Sequence, residues 1–388
     1  MSLAPTPRLS QHPNRLRVAV LCGGRSAEHE ISLLSARFVL ESLDRSRFAP
    51  LLVAIDKHGV FRVQDEQRLL SAPADPRTVA LDLDQPEVVL VAQPDAAGAS
   101  LARLGDSGAL DDGETPPIDV VFPVLHGPYG EDGTVQGLLE LANLPYVGSG
   151  VLGSAVGMDK DVMKRLLVEA KLPVLPYRTL RAARFERAAE AELAACAELA
   201  LPLFVKPANL GSSVGVSRVT AREDLRAAVE HAFEFDDKVV VEQGLDRPRE
   251  IECAVLGGDE PFASVPGEIE VGHADGFYSY AAKYLDDDGA VTRIPANLTH
   301  EQREEAQRLA LATFATLDGA GMARVDLFLA ADGRLWVNEI NTIPGFTRIS
   351  MFPKLMEASG VPPAELMTRL IDEALTRAAR KRRRRSAM

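Results

Sequence analysis

Aromatic side chains make up only 5% of this 388-residue chain, with a single tryptophan. That scarcity argues against the base-stacking platforms on which binders of single-stranded nucleic acid depend. Positive charge is short as well: 43 lysines and arginines face 56 aspartates and glutamates, for a net charge of −13. Nucleic acid is therefore not an expected partner, because phosphate backbones call for a basic face. The three cysteines, Cys22, Cys196 and Cys253, sit in apolar or alanine-rich surroundings with no C-x-x-C spacing. This predicts reduced, buried thiols, a cytosolic setting and no zinc site. No apolar run approaches the ~18 residues of a membrane span. The opening "MSLAPTPRLSQHPNR" also lacks the apolar core of a secretory leader. Two nucleotide signatures are missing too. No G-x-x-x-x-G-K-[ST] loop occurs, and "CGGRSAEHE" lacks the G-x-G-x-x-G of a dinucleotide turn.

What remains is the composition of an ordinary globular protein, 46% hydrophobic and 26% charged, long enough for roughly two to three domains. "LRVAVLCGG", "FAPLLVAID" and "IDVVFPVLHG" read as strands, with helices over about 26–43 and 131–141. Such alternation predicts βαβ units and a parallel sheet, an α/β fold. Between about 60 and 117 the pattern weakens into Asp-, Ala- and Pro-rich sequence, read as a variable insert. The glycine-rich "YVGSGVLGSAVG" marks a first boundary, giving an N-terminal α/β domain over 1–150. A central unit follows over 151–243, and a C-terminal unit over 244–388. In the central unit, helices are expected at about 159–170, 184–200 and 222–233, with strands at "LPVLPYRTL", before Lys206 and at "KVVVEQ". The basic tail at 380–388 reads as a solvated, disordered end in preference to an anion-binding arm.

The most informative segment is "ARVDLFLAADGRLWVNEIN". Two alternating apolar runs flank Asp332-Gly333, a two-residue hairpin signal. With that loop, Asp326 lies opposite Glu339 and Arg324 opposite Asn341, all four on one face. A four-residue loop would shift the pairing by two and keep the same face. Facing carboxylates repel unless something bridges them. Asp, Glu and Asn are hard oxygen donors suited to Mg²⁺, which carboxylates usually hold together with substrate phosphates. Arg324 on that face could stabilise charge on a transferred phosphoryl group. A solvated polar face accounts for this segment equally well. "NTIPGF", immediately after, tips the balance by placing bare N–H groups in a Pro-Gly turn, where they can meet an oxyanion.

Lys206 ends the apolar run "LPLFVK", where a lysine is expensive to bury without an anion. Lys160, in "MDKDVMK", falls in the first turn of a helix. Each alone reads as a solvated or snorkelling lysine. Together with the glycine-serine stretch "ANLGSSVGVSR" they outline a phosphate site of a different kind from a P-loop. Glu242, in "VVVEQGL", and Glu250 could serve the adenine and ribose of a nucleotide, although ordinary surface acids would look the same.

At this point the chain resembles the D-alanine–D-alanine ligases of the ATP-grasp superfamily. The resemblance rests on "GGRSAEHEISLLSA", "LHGPYGEDGTVQGLLELANLPYVGSGVLGSAVGMDK", "VKPANLGSSVGVSRV", "FYSYAAKY", "ARVDLFL" and "VNEINTIPGFTRISMFPKL", in the family's order from about residue 18 to 360. It implies a three-domain ATP-grasp fold with ATP between the central and C-terminal domains. It also implies two Mg²⁺ ions, for which Mn²⁺ can substitute, and a homodimer. The implied reaction is the joining of two D-alanines through a D-alanyl phosphate, for peptidoglycan precursors.

Residue by residue, the resemblance implies that Lys160 and Lys206 contact ATP phosphates and that Glu242 and Glu250 serve adenine and ribose. Ser212, Ser213, Gln243, Leu245, Lys283 and Asn338 complete the nucleotide side. Gln243 stands where many members have lysine. Asp326, Glu339 and Asn341 correspond to the metal ligands, and Arg324 with the Gly345 N–H to the oxyanion-stabilising groups. Glu28 would hold the first D-alanine's ammonium, His126 lies on the substrate side, and Ser350 and Met351 would bind the second carboxylate. Lys283 and Tyr284 match a loop that closes over the site, Tyr284 bonding Ser212, which in turn meets Glu28. The tyrosine favours an amine as second substrate over D-lactate. Two rivals remain: another ATP-grasp carboxylate–amine or depsipeptide ligase, and a regulator that holds ATP without catalysis.

Overall fold

The computed structural model describes residues 15–91, 100–104, 110–111, 117–271 and 290–385. Its first sheet grows from Leu16–Gly23 (β1), buried continuously from Val18 onward as a strand covered on both faces must be. Helix His29–Ser42 (α1) leads to Phe48–Ile55 (β2), which runs parallel to β1.

Within the variable insert read over 60–117, the described residues extend this sheet. Phe61–Val63 (β3), Glu87–Val91 (β4), Ser100–Leu104 (β5) and Leu110–Asp111 (β6) add antiparallel, and helix Glu66–Ser71 (α2) lies between the first two. Strands this short carry too few alternations to show a period of two. Val120–Pro123 (β7) closes the far side parallel to β1, so the sheet is mixed, in the order β6-β5-β4-β3-β2-β1-β7. Helix Thr134–Leu141 (α3) packs over one of its faces, Val135 and Leu139 meeting Ala19, Leu21 and Val121.

Two short helices follow, Val151–Met158 (α4) and Lys160–Glu169 (α5). The Asp159 carboxylate caps the second, accepting the N–H groups of Asp161 at 3.1 Å and Val162 at 3.0 Å. That cap fixes Lys160 as the helix's first residue. The second sheet comprises Tyr177–Arg181 (β8), Leu203–Pro207 (β9), Ser217–Val219 (β10) and Lys238–Gln243 (β11), all antiparallel in the order β10-β9-β11-β8. The strand expected over "LPVLPYRTL" starts only at Tyr177, since Pro173 and Pro176 cannot donate to a ladder. Helices Ala182–Ala195 (α6) and Leu225–Phe233 (α7) cover this sheet and give it a core of its own, including Phe185, Leu203, Val229 and Val241.

The third sheet contains Arg249–Gly257 (β12), Phe262–Ala263 (β13), Gly267–Val271 (β14), Ala290–Arg293 (β15), Gly321–Leu329 (β16) and Leu335–Asn341 (β17). Its order is β15-β14-β12-β16-β17, with β13 beside β12. Helix His300–Thr316 (α8) starts from a capping box of Thr299 and Gln302. Its Ala306, Leu309, Ala310 and Phe314 pack on Ile251, Val255, Val325 and Val337, which covers one face; the opposite face is covered at Ala254, Leu256 and Met322 and open along Glu252, Arg324 and Asp326. Helices Met351–Ala358 (α9) and Pro363–Arg385 (α10) finish the chain. Phe352, Leu355, Leu366 and Leu370 join Val20, Leu33, Phe122 and Met322 in one core shared by the first and third sheets.

The basic tail differs from its expectation as a disordered end. Its arginines and lysine are good helix formers, and α10 runs on through Arg385, with Arg380 reaching Asp259 and Lys381 reaching Glu140. No helix among the described residues is long and apolar enough to cross a membrane.

The β16–β17 turn also differs from its expectation. Gly333 donates to the Ala330 carbonyl at 2.9 Å and Ala330 to the Arg334 carbonyl at 2.9 Å, with Gly333 at φ +87°. This is a three-residue loop ending in a left-handed glycine. Alone, it would set Asp326 opposite Asn338. A β-bulge intervenes, so that Leu327 pairs with Val337 but Asp326 with Glu339. The extra residue restores the expected partners, Arg324 with Asn341 included.

Candidate active site

The open face of the third sheet carries Glu252 on β12, Arg324 and Asp326 on β16, and Glu339 and Asn341 on β17. Register sets Glu252 opposite Asp326 and Asp326 opposite Glu339, so carboxylates stand in a row that repels itself until cations enter. Arg324 supplies one. Its Nε and Nη2 each donate to a different oxygen of Asp326 at 2.6 Å, and Nε lies 3.1 Å from Glu252. Burial works against the guanidinium's charge, and Asp326 and Glu252 outweigh it. Lys160 supplies another, 3.7 Å from Glu339. Glu252 was not anticipated. Its signal was the alternation in "REIECAVLG", which sends Glu250 and Glu252 to one face.

Lys206, near the end of β9, donates to Glu242 Oε2 at 2.7 Å and to Asn338 Oδ1 at 3.3 Å. The other Glu242 oxygen accepts from Lys164, one turn beyond Lys160 in α5. Burial favours the neutral acid, but Lys164 and Lys206 together hold Glu242 below the usual carboxylate range. Lys164 was also missed, although a second lysine four residues after Lys160 projects from the same helix face. The Gln243 side chain accepts the Ala200 N–H at 3.1 Å.

The glycine-serine stretch forms the loop between β9 and β10. Ser212 and Ser213 adopt left-handed φ values of +50° and +58°, a conformation that costs non-glycine residues energy and concentrates at functional sites. Ser212 Oγ donates to Glu28, the residue that precedes α1. Gly127, at φ +73°, lets the chain pass close by: a Cβ there would stand 3.1 Å from Glu28 Oε2. His126 is buried, its Nδ1 3.1 Å from the Ile343 carbonyl and its Nε2 2.9 Å from Ser35 Oγ. A carbonyl only accepts, so Nδ1 carries the proton and Nε2 accepts from Ser35. Burial lowers the ring's pKa and keeps it neutral, against the pull of Glu28. Glu131, unanticipated, accepts the Gly127 N–H at 2.7 Å. Burial, reinforced by the Glu28 charge, pushes its carboxyl up to about 8.

Two cavities meet among these groups. The larger, of 340 Å³, is lined by Glu28, His126, Arg324, Asn341, Gly345, Ser350 and Met351. The smaller, of 100 Å³, is lined by Lys206, Ser213, Glu250, Asp326 and Asn338. Lys160, Ser212, Glu252 and Glu339 border both. The bulge explains how Asn338 and Glu339, adjacent in sequence, both reach the smaller one. Glu242, Gln243 and Leu245 line neither cavity; the Glu242 carboxylate is taken up by its lysines. Lys283 and Tyr284 lie outside the described residues.

Residues 17–149 match the family described as D-ala D-ala ligase N-terminus, and residues 166–372 match D-ala D-ala ligase C-terminus. The chain belongs to the D-alanine–D-alanine ligase family. It is 49% identical over 365 residues to D-alanine–D-alanine ligase A of Escherichia coli K12, covering 94% of this chain and 97% of that one. To the ligase A of Bradyrhizobium diazoefficiens it is 51% identical over 370 residues, covering 94% and 96%. Among solved structures, the D-alanine-D-alanine ligase from Coxiella burnetii superposes with a TM-score of 0.79 at 35% identity, over 96% of this chain and 99% of that one. The VanG D-Ala:D-Ser ligase from Enterococcus faecalis also gives 0.79, at 34% identity over 93% and 99%. The fold of this ligase is thus ATP-grasp.

The open face of the ligase can be judged as a cation site by its donors. Among the described residues, no three His, Cys, Asp or Glu side chains converge on one point. Asp326, Glu339 and Asn341 offer hard oxygens short of a full shell, which fits Mg²⁺ completed by phosphate oxygens. Arg324 occupies both oxygens of Asp326, so a cation there has to share that carboxylate or displace the guanidinium.

Proposed function

We propose that this ligase joins two D-alanines at the expense of ATP, with the nucleotide's phosphates toward the smaller cavity and the amino acids in the larger. The observation that carries this reading is the shared border of the cavities, where Lys160, Ser212 and Glu339 face both. A phosphoryl group handed from one substrate to the other has to cross such a border. The first D-alanine's carboxylate attacks the γ-phosphate and ADP leaves. The second D-alanine's amine then attacks the acyl carbon, losing a proton, and phosphate leaves.

Lys160 and Lys206 neutralise phosphate oxygens, and Glu250 meets the ribose. Ser213 and Asn338 line the phosphate side, while Gln243 and Leu245 adjoin the adenine through the chain leaving β11. Glu28 holds the first ammonium, with His126 beside it. Ser350 and Met351, at the start of α9, receive the second carboxylate. Arg324 and the Gly345 N–H stabilise the oxyanion of the tetrahedral step. Asp326, Glu339 and Asn341 would hold Mg²⁺, or Mn²⁺ in its place, which supplies charge neutralisation to the transferring phosphoryl group. Tyr284 and Lys283 belong to the closing loop of this reading.

The test is phosphate release with D-alanine, D-serine, D-lactate, L-alanine or no amino acid. Release that depends on D-alanine, with dipeptide as product, is expected. Equal release with D-lactate would make this a depsipeptide ligase, and no amino-acid dependence would leave an ATP-holding regulator. The reading includes a cytoplasmic homodimer, checked by light scattering of the purified chain and by cell fractionation.

A further inference from the structure

Lys164 has no part in the scheme above, yet its side chain is only 1% exposed. Burying an ammonium costs several kcal/mol unless a partner answers it. Its partner is Glu242, whose carboxylate serves Lys164 with one oxygen and Lys206 with the other. Two lysines therefore share one carboxylate.

The two lysines differ in freedom. Lys164 projects from α5 between the core residues Met163 and Leu167, lies 5.8 Å from the centre of the Tyr177 ring, and borders neither cavity. Lys206 forms part of the wall of the smaller cavity and reaches Asn338 there. With Lys206 as its only partner, Glu242 would be a buried, unpaired carboxylate whenever Lys206 turned toward another anion. That penalty would hold Lys206 in place. With Lys164 present, one counter-charge stays behind. Burial and Lys206 both push Lys164 toward the neutral amine, and Glu242 opposes them; Lys206 itself is held above its ordinary value by Glu242 despite burial.

We propose that Lys164 is a positioning residue for the nucleotide: a resident counter-ion that keeps Glu242 neutralised, so that Lys206 can pass from that carboxylate to a phosphate. This rests on the reading of the smaller cavity as the phosphate site.

The experiment measures dissociation constants of ATP and of adenosine, by calorimetry on the full chain, for wild type, Lys164→Met and Lys206→Met. Lys164→Met weakens ATP by about tenfold or more and leaves adenosine unchanged, because only phosphates call on Lys206. Unchanged ATP affinity overturns the proposal, and so does a parallel loss for adenosine, the mark of a merely damaged cleft. Lys206→Met tests the underlying reading separately. If it binds ATP like wild type, Lys206 is no phosphate ligand and the proposal falls with that assignment. If it loses ATP while Lys164→Met does not, only the inference fails. Should Lys164→Met not fold, Lys164→Gln, which keeps a donor toward Glu242 without the charge, is held to the same two ligands.

Discussion

Single side chains on the open face of the third sheet act through charge, and their removal should show it. Glu339 borders both cavities, pairs across the sheet with Asp326 and faces Lys160. Glu339→Gln keeps shape and loses charge, so steady-state turnover should fall by about a hundredfold or more while the thermal midpoint stays near wild type. Near-normal turnover would remove Glu339 from the metal set. Glu131 makes a different prediction. Its folded pKa of about 8 lies above the ~4.3 of an unfolded glutamate. Between those values the folded chain keeps a proton that the unfolded chain has lost, so this group's contribution to stability declines as pH rises through that window. Glu131→Gln cannot ionise, and its melting temperature should therefore fall less steeply than wild type between about pH 5 and pH 8. Parallel pH profiles would contradict the assignment. Neither Glu131 nor Glu252 stood out in the sequence, because a buried acid and a solvated one are written with the same letter.

Whole elements explain why parts of the fold were legible. Helix α8 starts from a capping box that is present in full, a local signal in "THEQ" that was passed over in the sequence. Thr299→Ala should cost about 1 kcal/mol, read as a lower melting temperature. The KM values should not move, since α8 backs the sheet on the side away from the cavities. A changed KM for either substrate would mean that the two sheet faces are mechanically coupled. The β16–β17 hairpin teaches the opposite lesson. An even loop would give Arg324 and Asp326 the partners they have, but the chain reaches them with an odd loop and a bulge. The shared face was legible because strand alternation is local. The bulge was not, because its Asn338 reaches Lys206, a residue 132 positions away in sequence.

Across the whole molecule, the first and third sheets share one core while the second keeps its own. The glycine-serine loop of the second sheet meets the first sheet's unit through Ser212 and Glu28. Ser212→Ala should therefore raise the KM for D-alanine as well as for ATP, a double effect visible in two-substrate kinetics. A change confined to ATP would show that the loop acts as a phosphate lid alone. The end of α10 ties down further parts of the chain, with Lys381 on Glu140 of α3 and Arg380 on Asp259 after β12. These exposed pairs stabilise little individually. Arg377, bonded to the carbonyls of Gly148 at 2.7 Å and Tyr146 at 2.8 Å, holds the helix more firmly.

The sequence by itself determined the mixed α/β character, the acid-and-arginine face of the hairpin, the helix whose first turn carries Lys160 and, through resemblance, the ligase family. Those features depend on spacing along a few residues or on motifs kept in order. Only the tertiary structure decided that β3 to β6 extend the first sheet, that Glu252 completes the carboxylate row, and that Glu242 stands between Lys164 and Lys206. The physical reason is the same each time. The free energy of a charge depends on what surrounds it, and here the surroundings come from segments that meet only when the chain has folded.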